Sequence, residues 1–318
     1  MADNKLDKHV ENISPSKKKK PKKTATDGMV YESTPGSIAA DVIIYLVLIS
    51  AVFIALIPMW HTIMASFSNG QQLIAHEGIA WRWVGEFNWA GYQKTISYAN
   101  HAILKSYGIT VMYVVGNVVF GLVINVIGAY VIYRRPKFAT LFSIMIILTI
   151  LFKGGIIPKY MIVRKIGFIN TAWALMLPTC TNAIFLFMQM TAFKQVPVET
   201  VEAAEIDGAS HLDIMFRVLL PQARGLTIVI LINTAILSWN RWFEASIYVT
   251  TERALWPLQL WIKQIVAENR NIINVSVPDW DKYLVQYAVI LIATMPVLMI
   301  MPFIQKQIQK GALIGAVK

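Results

Sequence analysis

The sequence predicts an all-α membrane protein with six transmembrane helices. Three observations carry this. The chain is 56% hydrophobic with a mean hydropathy of +0.53, too apolar for a soluble domain of 318 residues. Its apolar residues gather into six stretches of span length. Between the fourth and fifth lies a charged island, residues 194–222, patterned as two short helices about a glycine.

Residues 1–37 are polar and carry the basic run Lys17-Lys18-Lys19-Lys20-Pro21-Lys22-Lys23. They cannot bury a core and are expected to form a disordered tail. They do not form a signal peptide, because the apolar stretch that follows starts too late and runs too long. The first span is expected over Asp41 to Ile63, and residues 64–105 form a polar, aromatic outer segment with Trp81, Trp83, Phe87, Trp89 and Tyr92. The second span covers Tyr107 to Tyr133, and the turn Arg134-Arg135-Pro136-Lys137 is expected on the cytoplasmic side. The third covers Phe138 to Ile157, is broken by the Gly154-Gly155 and Pro158 region, and leads into an outer segment from Tyr160 to Asn170. The fourth covers Ala172 to Phe193 and the fifth Leu226 to Tyr248. Residues 249–285 form a second polar outer loop, and the sixth span runs from Gln286 to Ile304.

The island is locally explicit. Pro197 suits a helix start, because its missing N–H would be unpaired there anyway. Val198, Val201 and Ala204 recur at helical spacing. Gly208 stands where a helix ends in a left-handed residue. Ser210 and Asp213 form a capping-box pattern for a second helix, on which Leu212, Met215, Phe216 and Leu219 share a face and which Pro221 is expected to end.

Glu202-Ala203-Ala204, then Gly208, Val218, Leu220 and Pro221 at fixed spacing resemble the signature loop of permease subunits of binding-protein-dependent ABC importers. Val218 departs from the usual Ile. Asp207-Gly208-Ala209-Ser210 and Phe216 to Pro221 are most similar to the oligosaccharide-importing, maltose-permease-like branch. Ile157-Pro158 and Gly167 to Thr171 resemble the family's third outer loop, and Lys310 to Lys318 resembles the tail of a branch for complex or plant-polysaccharide-derived sugars. The resemblance covers roughly residues 40–318. It implies a type I ABC importer permease fold: a six-helix transmembrane domain over 38–305, a cytoplasmic coupling helix in 194–222, and cytoplasmic tails at 1–37 and 306–318. It implies a second homologous permease, two cytoplasmic ATPase subunits that bind ATP and Mg, an extracellular solute-binding protein, an oligosaccharide substrate and alternating access. It places the chain in a bacterial cytoplasmic membrane, in contact with lipid. The residues expected to couple to the ATPase are Glu202, Ala203, Ala204, Asp207, Gly208 and Pro221.

Six spans put both termini and the island on one side, where an ATPase must act. The excess of Lys and Arg on that side is carried by residues 1–40. A sugar path needs polar groups inside the bundle, where they are costly unless they face a cavity or a partner. Asn233 and Asn240 on the fifth span, with Glu244, fall on one helical face, flanked by Trp239, Arg241 and Trp242. Amides pair with hydroxyls and indoles stack on sugar C–H. The alternative is an Arg241–Glu244 pair at the outer interface with the tryptophans as an aromatic belt. Asn182 and Gln189 share a face of the fourth span. Asn117, Gly121, Asn125 and Gly128 form a stripe on the second, readable as substrate contact or as close packing over small residues.

Other chemistries find little support. No G-x-x-x-x-G-K-[ST] pattern cradles a nucleotide, the five histidines are scattered, and one cysteine, Cys180, forms no internal disulfide. No catalytic or metal-ligating constellation is expected. The net charge of +11 sits largely in the amino-terminal tail and does not indicate nucleic acid. An ion- or proton-coupled transporter would need acidic groups at mid-span, and Asp41 and Glu244, the two candidates, lie near span ends.

Overall fold

The expected spans fold as helices, three of which run longer than expected and three of which break. The computed structural model describes residues 35–97, 101–134, 136–152, 154–266 and 279–316; most of the basic tail lies outside them. The chain divides into two units, Met1–Met59 and Trp60–Lys318. The first holds the body of helix α1 (Pro35–Ser66), which begins at a proline three residues inside the expected tail. Apolar residues occupy every face of its body, as suits a helix in lipid.

In the second unit α2 (Gly70–Ala75) and α3 (Ala90–Ser97) occupy the first outer segment. α4 (Ala102–Arg134) is the second span, unbroken. The third span is a bent pair, α5 (Pro136–Leu151) and α6 (Ile156–Lys165). Gly155, at φ +80°, caps α6, and Pro158 sits within its first turn, where no N–H is missed. The expected outer segment from Tyr160 is therefore largely helix.

The fourth span was expected to be continuous and is not. α7 (Trp173–Met176) passes into a tight turn, Leu177–Thr179, and α8 (Ala183–Lys194) restarts at 50° to it. Pro178 removes a helical donor, and the Asn182 side chain caps the new helix by accepting Ile184 N–H at 2.9 Å. α9 (Val198–Ile206) and α10 (His211–Gln222) form the island, and α11 (Arg224–Trp239) turns away from α10 by 86°. The fifth span also breaks, after Trp239. Asn240 donates its side-chain amide back to Ile236 O at 3.0 Å, and the chain restarts as α12 (Phe243–Tyr248).

The outer loop from 249 is not simply polar. It contains α13 (Leu258–Val266), whose Leu258, Leu260, Trp261 and Ile265 are buried; residues 267–278 lie outside the described set. α14 (Asp279–Ala316) holds the sixth span and continues helical beyond 305, through most of the expected carboxy-terminal tail.

α4 is the mast of this unit, with α8 and α11 packed along it. Ile103, Ser106, Thr110, Tyr113, Asn117, Gly121, Asn125 and Ala129 form its buried stripe at helical spacing. Two apolar clusters sit at its ends. The outer one joins Ile103 and Tyr113 to Tyr248, Trp256, Leu258 and Trp261. The other joins Val126, Ala129 and Ile132 to Phe193, Val201, Ile214, Met215 and Leu219, and so seats the island. Thr110 Oγ1 accepts Leu258 N–H at 2.9 Å and Tyr113 OH donates to Leu255 O at 2.8 Å, which fixes the outer loop to the mast.

The approach of α4 to the fourth span is set by small residues. A Cβ at Gly121 would stand 2.3 Å from Cys180 O, a backbone atom that cannot swing aside. One at Gly108 meets nothing within 4 Å. Gly121→Ala is therefore expected to cost about 1–3 kcal/mol, as overpacking does, and Gly108→Ala to be neutral. Thermal unfolding of the detergent-purified protein checks the contrast, and equal midpoints for both variants would contradict it.

Candidate functional site

The island is a two-helix element with a defined hinge. Pro197 takes φ −56° and ψ 131°, and α9 starts at the next residue. At its other end Gly208 N–H bonds Glu205 O at 3.1 Å and Ala209 N–H bonds Ala204 O at 3.0 Å. With Gly208 at φ +78°, this is a complete Schellman stop. Ser210 then opens α10: its hydroxyl oxygen accepts Asp213 N–H at 3.2 Å, and its own N–H reaches Asp213 Oδ2 at 3.3 Å. Ser210's hydroxyl and N–H hold the Asp213 carboxyl below its ordinary range, with Arg217, 3.0 Å away, adding to the effect. That support is present above the ordinary carboxylate range and is lost as pH falls below that range, through the lowered value of the folded state.

α10 departs from a regular helix. Ile214–Leu219 is wound as a π-turn, and Leu220 N–H bonds Met215 O, five residues back. Pro221 therefore does not end the helix, which continues to Gln222; the widened turn takes up its missing N–H. The change of winding also changes the buried face. Ile214, Met215 and Leu219 are buried, whereas Leu212 and Phe216 are exposed.

The same element divides its residues between two surfaces. Val201 is buried and Ala204 packs on the cluster at the end of α4. Glu202, Ala203, Asp207 and Gly208 face outward. Ala203 and Ala204, expected to act together as small residues, thus point to different surroundings. Ile206, 86% exposed, and Leu212, 65% exposed, flank the hinge as apolar knobs among carboxylates.

Two polar contacts lash the element to the end of α4. Arg134 pairs with Glu205 of α9, and Tyr130 OH meets His211 Nδ1 of α10 at 2.9 Å. They hold one helix each, on either side of Gly208. Sequence reading missed all four residues, because the pairs are separated by 71 and 81 positions. The basic turn after the second span was the available signal.

The path candidates are dispersed. Asn117 is buried, donating to Leu175 O at 3.0 Å and accepting from Thr179 Oγ1 at 3.1 Å. Asn125 is buried and its Oδ1 accepts from Thr181 Oγ1 at 2.9 Å. Both lie in the packed seam rather than on an open surface, for the reason that sets Gly121: α4 touches the fourth span there. Gln189 is buried against Thr227, with amide and hydroxyl 3.1 Å apart. Asn182 has extended backbone as the α8 cap, so it shares no helical face with Gln189. Asn233 returns its amide to Val229 O at 2.8 Å. Asn240 lies past the end of α11, so the expected face through Asn233, Asn240 and Glu244 is interrupted. Trp239 packs near Tyr107, ring centroids 6.1 Å apart, and Trp242 is exposed with the Lys263 ammonium 4.6 Å from its ring centroid.

Between the two broken spans lies a half-open pocket of about 130 Å³ lined by Lys159, Thr179, Thr181, Asn182, Arg241 and Glu244, among others. Arg241 donates to Thr179 O at 3.2 Å, and among the described residues no carboxylate lies within ion-pairing distance of it. No group of three or more His, Cys, Asp and Glu is placed to hold a metal among the described residues.

Comparison with known proteins agrees with this architecture. Residues 132–313 match the family model described as binding-protein-dependent transport system inner membrane component. The polygalacturonan/rhamnogalacturonan transport system permease protein YtcP of Bacillus subtilis is 31% identical over 285 residues, covering 87% of this chain and 98% of that protein. Protein LplC of the same organism is 31% identical over 272 residues, covering 83% and 90%. In fold, the chain is similar to one from the crystal structure of a bacterial ABC transporter involved in the import of the acidic polysaccharide alginate, with a TM-score of 0.77, 23% identity, and coverage of 87% and 99%.

If the Arg134–Glu205 pair clamps α9, reversing it should preserve it. Arg134→Glu alone and Glu205→Arg alone are expected to make the segment 198–222 more open to protease, and the double reversal to restore most of the protection. Limited proteolysis in detergent measures this. A double variant no better than the singles would show that the pair does not hold the loop.

Proposed function

This chain belongs to the family of binding-protein-dependent transport system inner membrane components, and we propose that it passes an oligosaccharide from an extracellular binding protein to the cytoplasm, as the permease subunit of an ATP-driven importer. The observation that carries the reading is the α9–Gly208–α10 element, clamped on α4 with an outward face of carboxylates and apolar knobs. The relative named for polygalacturonan and rhamnogalacturonan transport supports a sugar cargo.

In this reading two ATPase subunits on the cytoplasmic side bind ATP and Mg, and this chain supplies neither a phosphate cradle nor covalent chemistry. Glu202, Ala203 and Asp207 with Ile206 and Leu212 present the docking face; Gly208 sets its shape, Ala204 packs it on the bundle, and Pro221 lies exposed at the end of α10. When the ATPases close, the element and α4 move together, and the space between this chain and a second homologous permease opens toward the binding protein. Both termini lie in the cytoplasm, and residues 1–37 serve as a basic tail that fixes orientation. Asn182, Asn233, Trp239, Asn240 and Trp242 are the path candidates with side chains not fully buried.

Gly208 meets no neighbour, so a side chain there is penalised by backbone conformation alone, by roughly 1–2 kcal/mol. Gly208→Val and Glu202→Lys are expected to leave the chain in the membrane but abolish the stimulation of ATP hydrolysis by sugar-loaded binding protein. Reconstituted complex, assayed with and without that protein, measures it; full stimulation by Gly208→Val would reduce the loop to a passive connector.

The outer segment around Phe67, Trp83, Phe87, Trp89 and Tyr92 is a stacked aromatic cluster with exposed Trp81 and Trp83. Such rings are common interface anchors. Photo-crosslinkers at Trp81 and Trp83 are expected to capture the binding protein in the ATP-bound state. No capture in any nucleotide state would place docking elsewhere.

A further inference from the structure

We propose that the cavity between the broken fourth and fifth spans binds a carboxylate of the transported sugar, so that the cargo is an acidic, uronate-type oligosaccharide. This deepens the permease reading and rests on it. The cavity takes its charged and polar walls from Lys159 of α6, the 179–182 break of the fourth span, and Arg241 and Glu244 about the break of the fifth, with Phe185 of α8 and Leu237 of α11 also lining it. Two cations thus face one carboxylate in a chamber of about 130 Å³. A charged side chain inside a membrane bundle is expensive and is kept where it meets a partner or a cavity.

Among the described residues Arg241 makes one hydrogen bond and no ion pair. One guanidinium nitrogen donates to Thr179 O at 3.2 Å. Glu244, whose pairing with it at i, i+3 was the alternative reading of this face, is beyond ion-pairing distance, because the helix breaks between Trp239 and Phe243, although its charge acts on Arg241 across the pocket. The rest of the planar fork is left for an acceptor, and a carboxylate matches it in two parallel bonds. A neutral sugar would call for amides and hydroxyls, yet the amides expected to serve are spent elsewhere: Asn117 on Leu175 O, Gln189 on Thr227, Asn233 on Val229 O. In the wall the Thr179 and Thr181 hydroxyls are likewise engaged, on Leu175 O and Asn125 Oδ1, and Asn182 Oδ1 caps α8, which leaves the Asn182 amide nitrogen to meet a sugar hydroxyl. The Thr181 contact fixes that wall to α4. Discontinuous spans that line a polar chamber are where transporters place charged cargo.

The test uses the whole importer with its binding protein in phosphatidylcholine liposomes, so that no anionic lipid competes. Uptake of trigalacturonate is compared with uptake of its carboxyl-reduced counterpart, trigalactose. Wild type is expected to take up the acidic sugar at least tenfold faster. Arg241→Gln should lower acidic uptake at least tenfold, Lys159→Gln less, and Arg241→Lys should recover part of it, with all variants copurifying with the ATPase at wild-type yield. Equal uptake of both sugars, uptake of neither by a complex that hydrolyses ATP, or acidic uptake unchanged in Arg241→Gln overturns the carboxylate assignment and leaves the permease reading standing. Failure of the wild-type chain to copurify with any ATPase takes down both.

Discussion

Gly121 brings the backbone of α4 against the Cys180 carbonyl, and the elements at either end of that helix are placed by this approach. Membrane helices gain little from the hydrophobic effect between themselves and rely on close packing and polar contacts. α4 has both. Asn117 and Asn125 reach across the seam to the chain between α7 and α8, satisfying carbonyl and hydroxyl groups that the break exposes. The break is tolerable inside a bundle because those groups have partners or face a polar cavity.

Two consequences follow from one geometry. At one end of α4, Val126, Ala129 and Ile132 form a seat for α9 and α10, and Arg134 and Tyr130 tie each helix down. Along the middle, the kinked fourth span leaves room beside α11 for a chamber whose charge comes from Lys159, Arg241 and Glu244. A polar pocket and the α9–α10 element are thus attached to the same helix. That attachment is a physical basis for events at the lever to be felt at the chamber.

How much of this was legible depended on sequence distance. The lever was readable nearly to the residue, because the Schellman stop, the capping box and Gly208 are local rules acting within six positions. The spans were readable from hydropathy. The path was not. Pairing Asn182 with Gln189 and Asn233 with Asn240 assumed continuous helices, and both spans break between or beside those residues. Pro178 was a visible reason for the first break; the second comes from Asn240 folding its amide onto Ile236 O, which hydropathy does not register. The π-turn in α10 likewise moved Leu212 and Phe216 off the buried face. The Arg134–Glu205 and Tyr130–His211 contacts are tertiary and carry no local pattern.

The central claim is that the α9–α10 lever and α4 are one rigid body. Spin labels at Gly108, where the α4 surface is open, and at Ala203, on the outer face of α9, report it directly once buried Cys180 has been replaced. Distances between them, measured by pulsed electron resonance on the assembled complex with and without ATP, are predicted to keep one narrow peak at one position in both states. A second peak, or a shift on adding ATP, would mean that the lever moves on the helix rather than with it.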